Sequence, residues 1–213
     1  MLALAGAGLA RAAVVIDFQD LTLADYGIIP TTYGSNLDPN LGGVRYRSFS
    51  PGNPSSATAY LLLWNTGYGD LTKVAFPSSN GLIGEISLIP AAGYGVRLLS
   101  FDMAGWPNAD RTNSVMRIVD GDGKVVHDFA APGPATIQGD ANGPPRSTFA
   151  PNLFLPGTLA FQWGTDWNIG LDNVRFELVP VASIPEPATW LLLGAGLAVI
   201  AAGVRRQRRR GRY

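Results

Sequence analysis

The residues best equipped for chemistry are few and scattered. Asp120-Gly121-Asp122-Gly123 has the spacing that opens a calcium loop, but the later acidic ligand such a loop requires is absent. Asp-Gly between two alternating segments is instead a strong hairpin signal, and a turn is expected there. His127 is the only histidine, so no multi-histidine metal centre can form, and a G-x-S-x-G nucleophile elbow is missing. Glycoside hydrolysis needs two carboxyl groups facing each other across a cleft. Ahead of Pro185 the chain offers two glutamates, Glu85 and Glu177, and many aspartates of turn type, among which the sequence singles out no pair. No catalytic residue is assigned, and the expected character is non-enzymatic. The absence of cysteine excludes thiolate metal sites, disulfides and cysteine nucleophiles.

Two phrases stand apart for their mixture of indoles and small polar residues. They are Phe101-Asp-Met-Ala-Gly-Trp-Pro-Asn-Ala-Asp-Arg111 and Trp163-Gly-Thr-Asp-Trp167. Indoles presented by loops can stack on sugar rings while Asn or Asp bonds the hydroxyls, so Trp106, Trp163 and Trp167 are candidate carbohydrate contacts. The competing structural reading has Trp163 ending a core strand and Trp106 capping the fold.

The elements that must position these residues read as short strands. Val14, Ile16 and Phe18 alternate, as do Leu99, Phe101 and Met103 within Tyr94–Met103. Further runs are 60–64, 73–76, 85–89, 115–120, 124–129, 159–163 and 171–178. In the last of these Val174, Phe176 and Leu178 point one way while Arg175 and Glu177 point the other. No internal stretch keeps helical periodicity for three turns, and 26 glycines with 16 prolines punctuate the chain. The expected fold class is all-β, an antiparallel β-sandwich resembling a jelly roll, with nine or ten strands. Ala131–Pro156, rich in Pro, Gly and Asn, reads as a long loop.

Charge is distributed unevenly. The formal net charge is zero, yet six of the sixteen basic residues fall in the last nine positions. Between Val14 and Pro185 fifteen acids face nine bases, a net of −6. An acidic body argues against nucleic-acid binding, which needs clustered Lys and Arg.

The two ends read as targeting segments. Leu2–Leu9 is apolar and Ala10-Arg11-Ala12 fits a small-x-small cleavage site, so residues 1–12 are expected to be a signal peptide. The basic start that such leaders carry is absent, which leads us to expect initiation further upstream. At the other end, seventeen residues from Ala188 to Val204 contain nothing more polar than Thr189. As a helix they span about 26 Å, near the lower limit for a bilayer core. Arg205, Arg206, Arg208, Arg209, Arg210 and Arg212 follow at once, and positive flanks stay cytoplasmic, which places the body on the opposite face. Pro185-Glu186-Pro187 stands just ahead, in an extended conformation enforced by its two prolines.

Tripeptide, apolar helix and terminal arginine cluster, in that order, resemble the PEP-CTERM sorting domain over residues 181–213. The resemblance implies an exosortase that recognises Pro185, Glu186 and Pro187 and processes the tail, in a Gram-negative bacterium that makes exopolysaccharide. It implies an inner-membrane, single-pass form before processing and a cell-surface or extracellular form afterwards. The strand and loop phrases from Val14 to Leu178 resemble the jelly-roll bodies common among such proteins. By analogy with carbohydrate-binding jelly rolls, which hold a structural calcium between first and last strands, Asp17 and Asp172 are candidate metal ligands. Both fit equally well as solvent-side strand carboxylates, and no other cofactor is expected. The expectation is an exported domain over residues 13–180 serving exopolysaccharide association or adhesion. A dedicated carbohydrate-binding module, or a polysaccharide hydrolase, is the alternative.

Overall fold

The computed structural model describes residues 12–140 and 142–181. The leader to Arg11, the Pro185-Glu186-Pro187 tripeptide, the apolar run 188–204 and the arginine cluster lie outside the described residues. Within them every strand pairing is antiparallel, no helix occurs, and the sheets form a sandwich consistent with a jelly-roll-like fold.

The first eight strands are β1 (Val14–Ile16), β2 (Gly27–Ile28), β3 (Leu41–Ser50), β4 (Asn53–Thr58), β5 (Leu62–Trp64), β6 (Val74–Phe76), β7 (Ile83–Pro90) and β8 (Tyr94–Gly105). The second eight are β9 (Arg111–Asn113), β10 (Val115–Asp120), β11 (Val125–Asp128), β12 (Ala135–Ile137), β13 (Ser147–Phe149), β14 (Leu153–Leu155), β15 (Leu159–Gly164) and β16 (Ile169–Pro180). One sheet runs β13-β8-β16-β6-β5-β2, with β14 also on β8 and β1 also on β16. The other runs β11-β10-β15-β7-β3-β4, and β9 and β12 make a small separate pair.

Alternation explains which faces meet. Val44 and Tyr46 of β3, Ile86 and Leu88 of β7, Met116 and Ile118 of β10, and Leu159, Phe161 and Trp163 of β15 are buried on one side. Val96, Leu98 and Met103 of β8 and Leu171, Val174, Phe176 and Leu178 of β16 meet them from the other sheet. Each such side chain contributes about 1.5–3 kcal/mol by leaving water. Trp163 is fully buried, stacked on Phe161 at 5.8 Å, with Nε1 donating to the Ile169 carbonyl at 3.2 Å. Gly84 faces it across the strand pair, where a Cβ would stand 3.0 Å from the indole.

Two expectations are corrected. Sixteen strands are present among the described residues instead of nine or ten. Ala131–Pro156 holds β12, β13 and β14, each only three residues long. Such short pieces pair onto β9 and β8 by backbone hydrogen bonds without carrying a period-two signature of their own.

One buried carboxyl group is built into β16. Asn173 takes a left-handed conformation (φ 51°), and the β16–β8 register slips between Asp172 and Arg175. This bulge packs Asp172 at 2% exposure, with its Oδ1 accepting from the Asn173 amide at 2.7 Å. Burial is the main cause that pushes its carboxyl up to about 8; the Asn173 amide opposes it, the Asp17 and Asp102 charges add to it, and Arg146 opposes it. An unfolded aspartate ionises near ~3.9. The folded chain therefore binds the extra proton between those values, and this stability is present at low pH and lost as pH rises toward 8.

Two outcomes are expected. Trp163→Ala should cost about 3–5 kcal/mol in denaturant unfolding, the range for emptying a large buried aromatic site. Asp172→Asn should remove a downward slope of up to about 1.4 kcal/mol per pH unit between about pH 5 and 7.5. Parallel pH profiles for the wild type and the Asn variant would contradict the second.

Candidate functional site

Trp106 and Trp167 come together with four rings from distant segments. Tyr26 leads into β2, Trp64 closes β5, Tyr68 lies between β5 and β6, and Phe76 closes β6. Trp106 follows β8 directly, and Trp167 with Asn168 connects β15 to β16. These seven residues line a concave pocket of about 160 Å³.

The rings brace one another edge to face, the arrangement their quadrupoles favour. Tyr26 meets Trp64 at 4.9 Å, Trp64 meets Trp106 at 5.8 Å, and Phe76 meets both Trp64 (6.2 Å) and Trp167 (6.3 Å). Backbone contacts fix the supporting loops. The Tyr26 amide donates to the Leu63 carbonyl at 2.9 Å, and the Trp106 amide to the Asn168 carbonyl at 2.8 Å. The Trp106 carbonyl accepts from Arg111 Nε at 2.7 Å. Gly67 has a positive φ of 86° and lies so close to the Trp106 indole that a Cβ would stand 3.0 Å from it. Glycine is therefore what lets the ring lie flat against this turn.

The polar groups of the pocket are already oriented. Asn168 donates through Nδ2 to Asp166 Oδ1 at 2.8 Å, which leaves its carboxamide oxygen as an acceptor. The Tyr68 hydroxyl donates to the Trp167 carbonyl at 3.2 Å. Burial, reinforced by the nearby Asp166 charge, lifts the Tyr68 phenol well above its ordinary range and keeps it a neutral donor. Tyr26 is half exposed, and Trp64, Trp106 and Trp167 are partly so. No carboxylate lines the pocket, so the arrangement offers faces and edges for binding an amphipathic ring.

The other expected site residues lie elsewhere. Trp163 belongs to the core and presents no surface to a ligand, because the parity that turns Leu159 and Phe161 inward turns it inward too. Asp17 and Asp172 are brought near each other by the β1–β16 pairing, in which Ile16 faces Val174. One oxygen of each is engaged by the backbone. Asp17 Oδ1 accepts from the Gln19 amide and Asp172 Oδ1 from the Asn173 amide. Asp102, their neighbour, is engaged by Thr148, Asn173 and Arg146. Among the described residues no group of three or more His, Cys, Asp or Glu is placed to hold a metal ion. Asp120–Gly123 forms the β10–β11 turn, with Asp120 Oδ1 accepting from the Asp122 and Lys124 amides. His127 is exposed on β11 against the edge of Phe129.

Tyr26, Trp64, Tyr68, Phe76 and Asn168 were not foreseen. Each sits in a different segment and only the sheet order β16-β6-β5-β2 makes neighbours of them. A hint existed in Trp64 and Tyr68, two aromatic residues that bracket Asn65-Thr66-Gly67 much as indoles border the other loops.

Comparison with curated proteins gives no match. Among solved structures the chain is similar to the enzymatically active domain of tailspike protein 4 of bacteriophage CBA120, at 15% identity and a TM-score of 0.31. That likeness covers 73% of this chain and 21% of the other, so the chain spans about a fifth of that structure's length. Residues 183–209 match the PEP-CTERM protein-sorting motif. The chain thus carries a PEP-CTERM sorting motif at its C-terminal end, which makes it an exported protein processed by exosortase.

Proposed function

We propose that the exported β-sandwich is a non-catalytic exopolysaccharide-binding domain of the bacterial surface or matrix, and that the aromatic pocket is its sugar contact. The observation that carries this reading is the convergence of Tyr26, Trp64, Trp106 and Trp167 on one open concavity with Asn168 at its edge. A pyranose ring has an apolar face suited to an indole and a rim of hydroxyls suited to an amide. Rings held by their neighbours lose little freedom when a ligand arrives, which favours binding by a preformed site. The absence of a carboxylate from the lining supports binding over hydrolysis, which calls for two carboxyl groups across the sugar.

In this reading the sorting tail sets the route. The tail spans the inner membrane first, with the sandwich on the far side and the arginine cluster retained in the cytoplasm. Exosortase then acts at Pro185-Glu186-Pro187, and the sandwich reaches the cell surface or the matrix.

Two measurements test these halves. Protein recovered from an exosortase-positive host should have an intact mass lacking the tail, whereas Pro185→Ala with Glu186→Ala should stay full-length in the membrane fraction. Full-length wild type at the surface would remove the sorting route. Trp106→Ala or Trp167→Ala should weaken binding to the host's own exopolysaccharide by tenfold or more, with an unchanged unfolding midpoint. Undiminished binding by both well-folded variants would remove the pocket as the contact.

A further inference from the structure

The outer face of the other sheet carries a second constellation. Four neighbouring strands place Arg117 (β10), Gln162 (β15), Glu85 (β7) and Arg47 (β3) in direct register, each opposite the next. The row crosses three strand spacings, about 14 Å. Arg47 grips Glu85 through Nε at 2.7 Å and Nη2 at 2.8 Å. Gln162 Nε2 donates to Glu85 Oε2 at 2.7 Å, and Arg117 Nε donates to Gln162 Oε1 at 2.8 Å. Ser87 donates to Glu85 Oε1 at 2.7 Å, and Arg45 reaches Ser87 at 3.2 Å.

Glu85 is the hub of this row. Its side chain is fully buried although it lies on the outward side of the sheet. Burial opposes its charge, but the hydrogen bonds from Arg47, Gln162 and Ser87 prevail and hold the carboxyl below its usual range. One buried carboxylate thus underlies three guanidinium groups, and Asp120 and Asp122 of the turn bring the lining to three positive against three negative charges. Arg117 forms no ion pair among the described residues, although Asp128 of β11 stands opposite it in register, and its terminal nitrogens donate to no described residue. Arg45 is 54% exposed and touches the hub only at long range, its Nη2 lying 3.4 Å from Glu85 Oε1 and 3.2 Å from Ser87 Oγ.

Beside the row the sheet is shallow. The next register line runs Arg45, Ser87, Ala160, Val119, so small side chains floor the middle. Arg45, Arg47 and Arg117, with Phe49 under Arg47, Thr158 and the β10–β11 turn stand around it. The resulting trough has a volume of about 490 Å³. Asp120 and Asp122 stand on the turn, and neither forms an ion pair with a described guanidinium. The cationic row and the acidic turn therefore give the trough two chemically different sides.

We infer that this trough binds a carboxylate-bearing saccharide chain, its carboxylate seated on Arg117 and Arg45 and its neutral ring lying over Ser87 and Ala160. The guanidinium nitrogens that the row leaves unused, Nη1 and Nη2 of Arg117 and Nη1 of Arg45, can donate to a carboxylate. The site is separate from the aromatic pocket and does not rest on it, because the two lie on different sheets.

The test uses the full chain in detergent with polygalacturonate and, as the neutral control, its fully methyl-esterified form. Polygalacturonate should bind at least tenfold more tightly than the ester, and the preference should shrink with added salt. Arg117→Ala and Arg45→Ala should each lower that affinity several-fold, while Trp106→Ala leaves it unchanged. Arg45 is half exposed and its bonds to Glu85 and Ser87 are the longest of the network, so its variant decides the matter if loss of Arg117 lowers the unfolding midpoint. Equal affinity for the two polymers, no binding of either, or full affinity in a folded Arg45→Ala variant would each overturn the inference. Loss of binding in Trp106→Ala alone would assign the acidic polymer to the aromatic pocket instead.

Discussion

The antiparallel pairing of β8 with β16 is the constraint from which the rest of the sandwich hangs. Both strands are twelve residues long, and their register runs from Tyr94 against Pro180 to Gly105 against Ile169. Every other strand of that sheet is assembled on this pair or on its neighbours: β13 and β14 on the outer side of β8, β1 and β6 on the outer side of β16. Because the two strands come from distant parts of the chain, closing them is costly in loop entropy, and burial of Leu98, Met103, Leu171 and Phe176 along the seam offsets it. Of the two register slips along the seam, the one at Asn173 is where it admits a polar cluster.

That arrangement also explains where the aromatic pocket and the arginine row sit. The aromatic pocket gathers at the ends of β5, β6, β8 and β15, where loops leave the sheet and can present rings to solvent. The arginine row lies mid-sheet, where register is fixed by every hydrogen bond along β3, β7, β15 and β10. A loop site can adapt to its ligand. A mid-sheet row holds its spacing.

The sequence conveyed the fold through strands whose faces differ sharply. Val115–Asp120, followed by Asp-Gly-Asp-Gly, reads directly as the first arm of a hairpin, and β16 alternates Val174, Phe176 and Leu178 inward. β3 was illegible because Gly42, Gly43 and Ser48 interrupt the apolar rhythm, and because Arg45 and Arg47 look like ordinary surface charges. The three-residue strands β12 to β14 have no room for a period at all. For the site, Trp106 and Trp167, named for their loop context, line the aromatic pocket, while Trp163 ends a core strand, the alternative its parity with Phe161 favours. Tyr26, Trp64 and the Arg117–Gln162–Glu85–Arg47 row depend on strand order, which a single chain does not state.

β4 closes one edge of the six-stranded sheet with Asn-Pro-Ser-Ser-Ala-Thr, exposed along nearly all its length. Its backbone rim is thus open, yet Pro54 withholds an amide and the small hydroxylated side chains give an incoming strand nothing apolar to grip. Crowded copies of the sandwich would slide past one another there without knitting into fibrils.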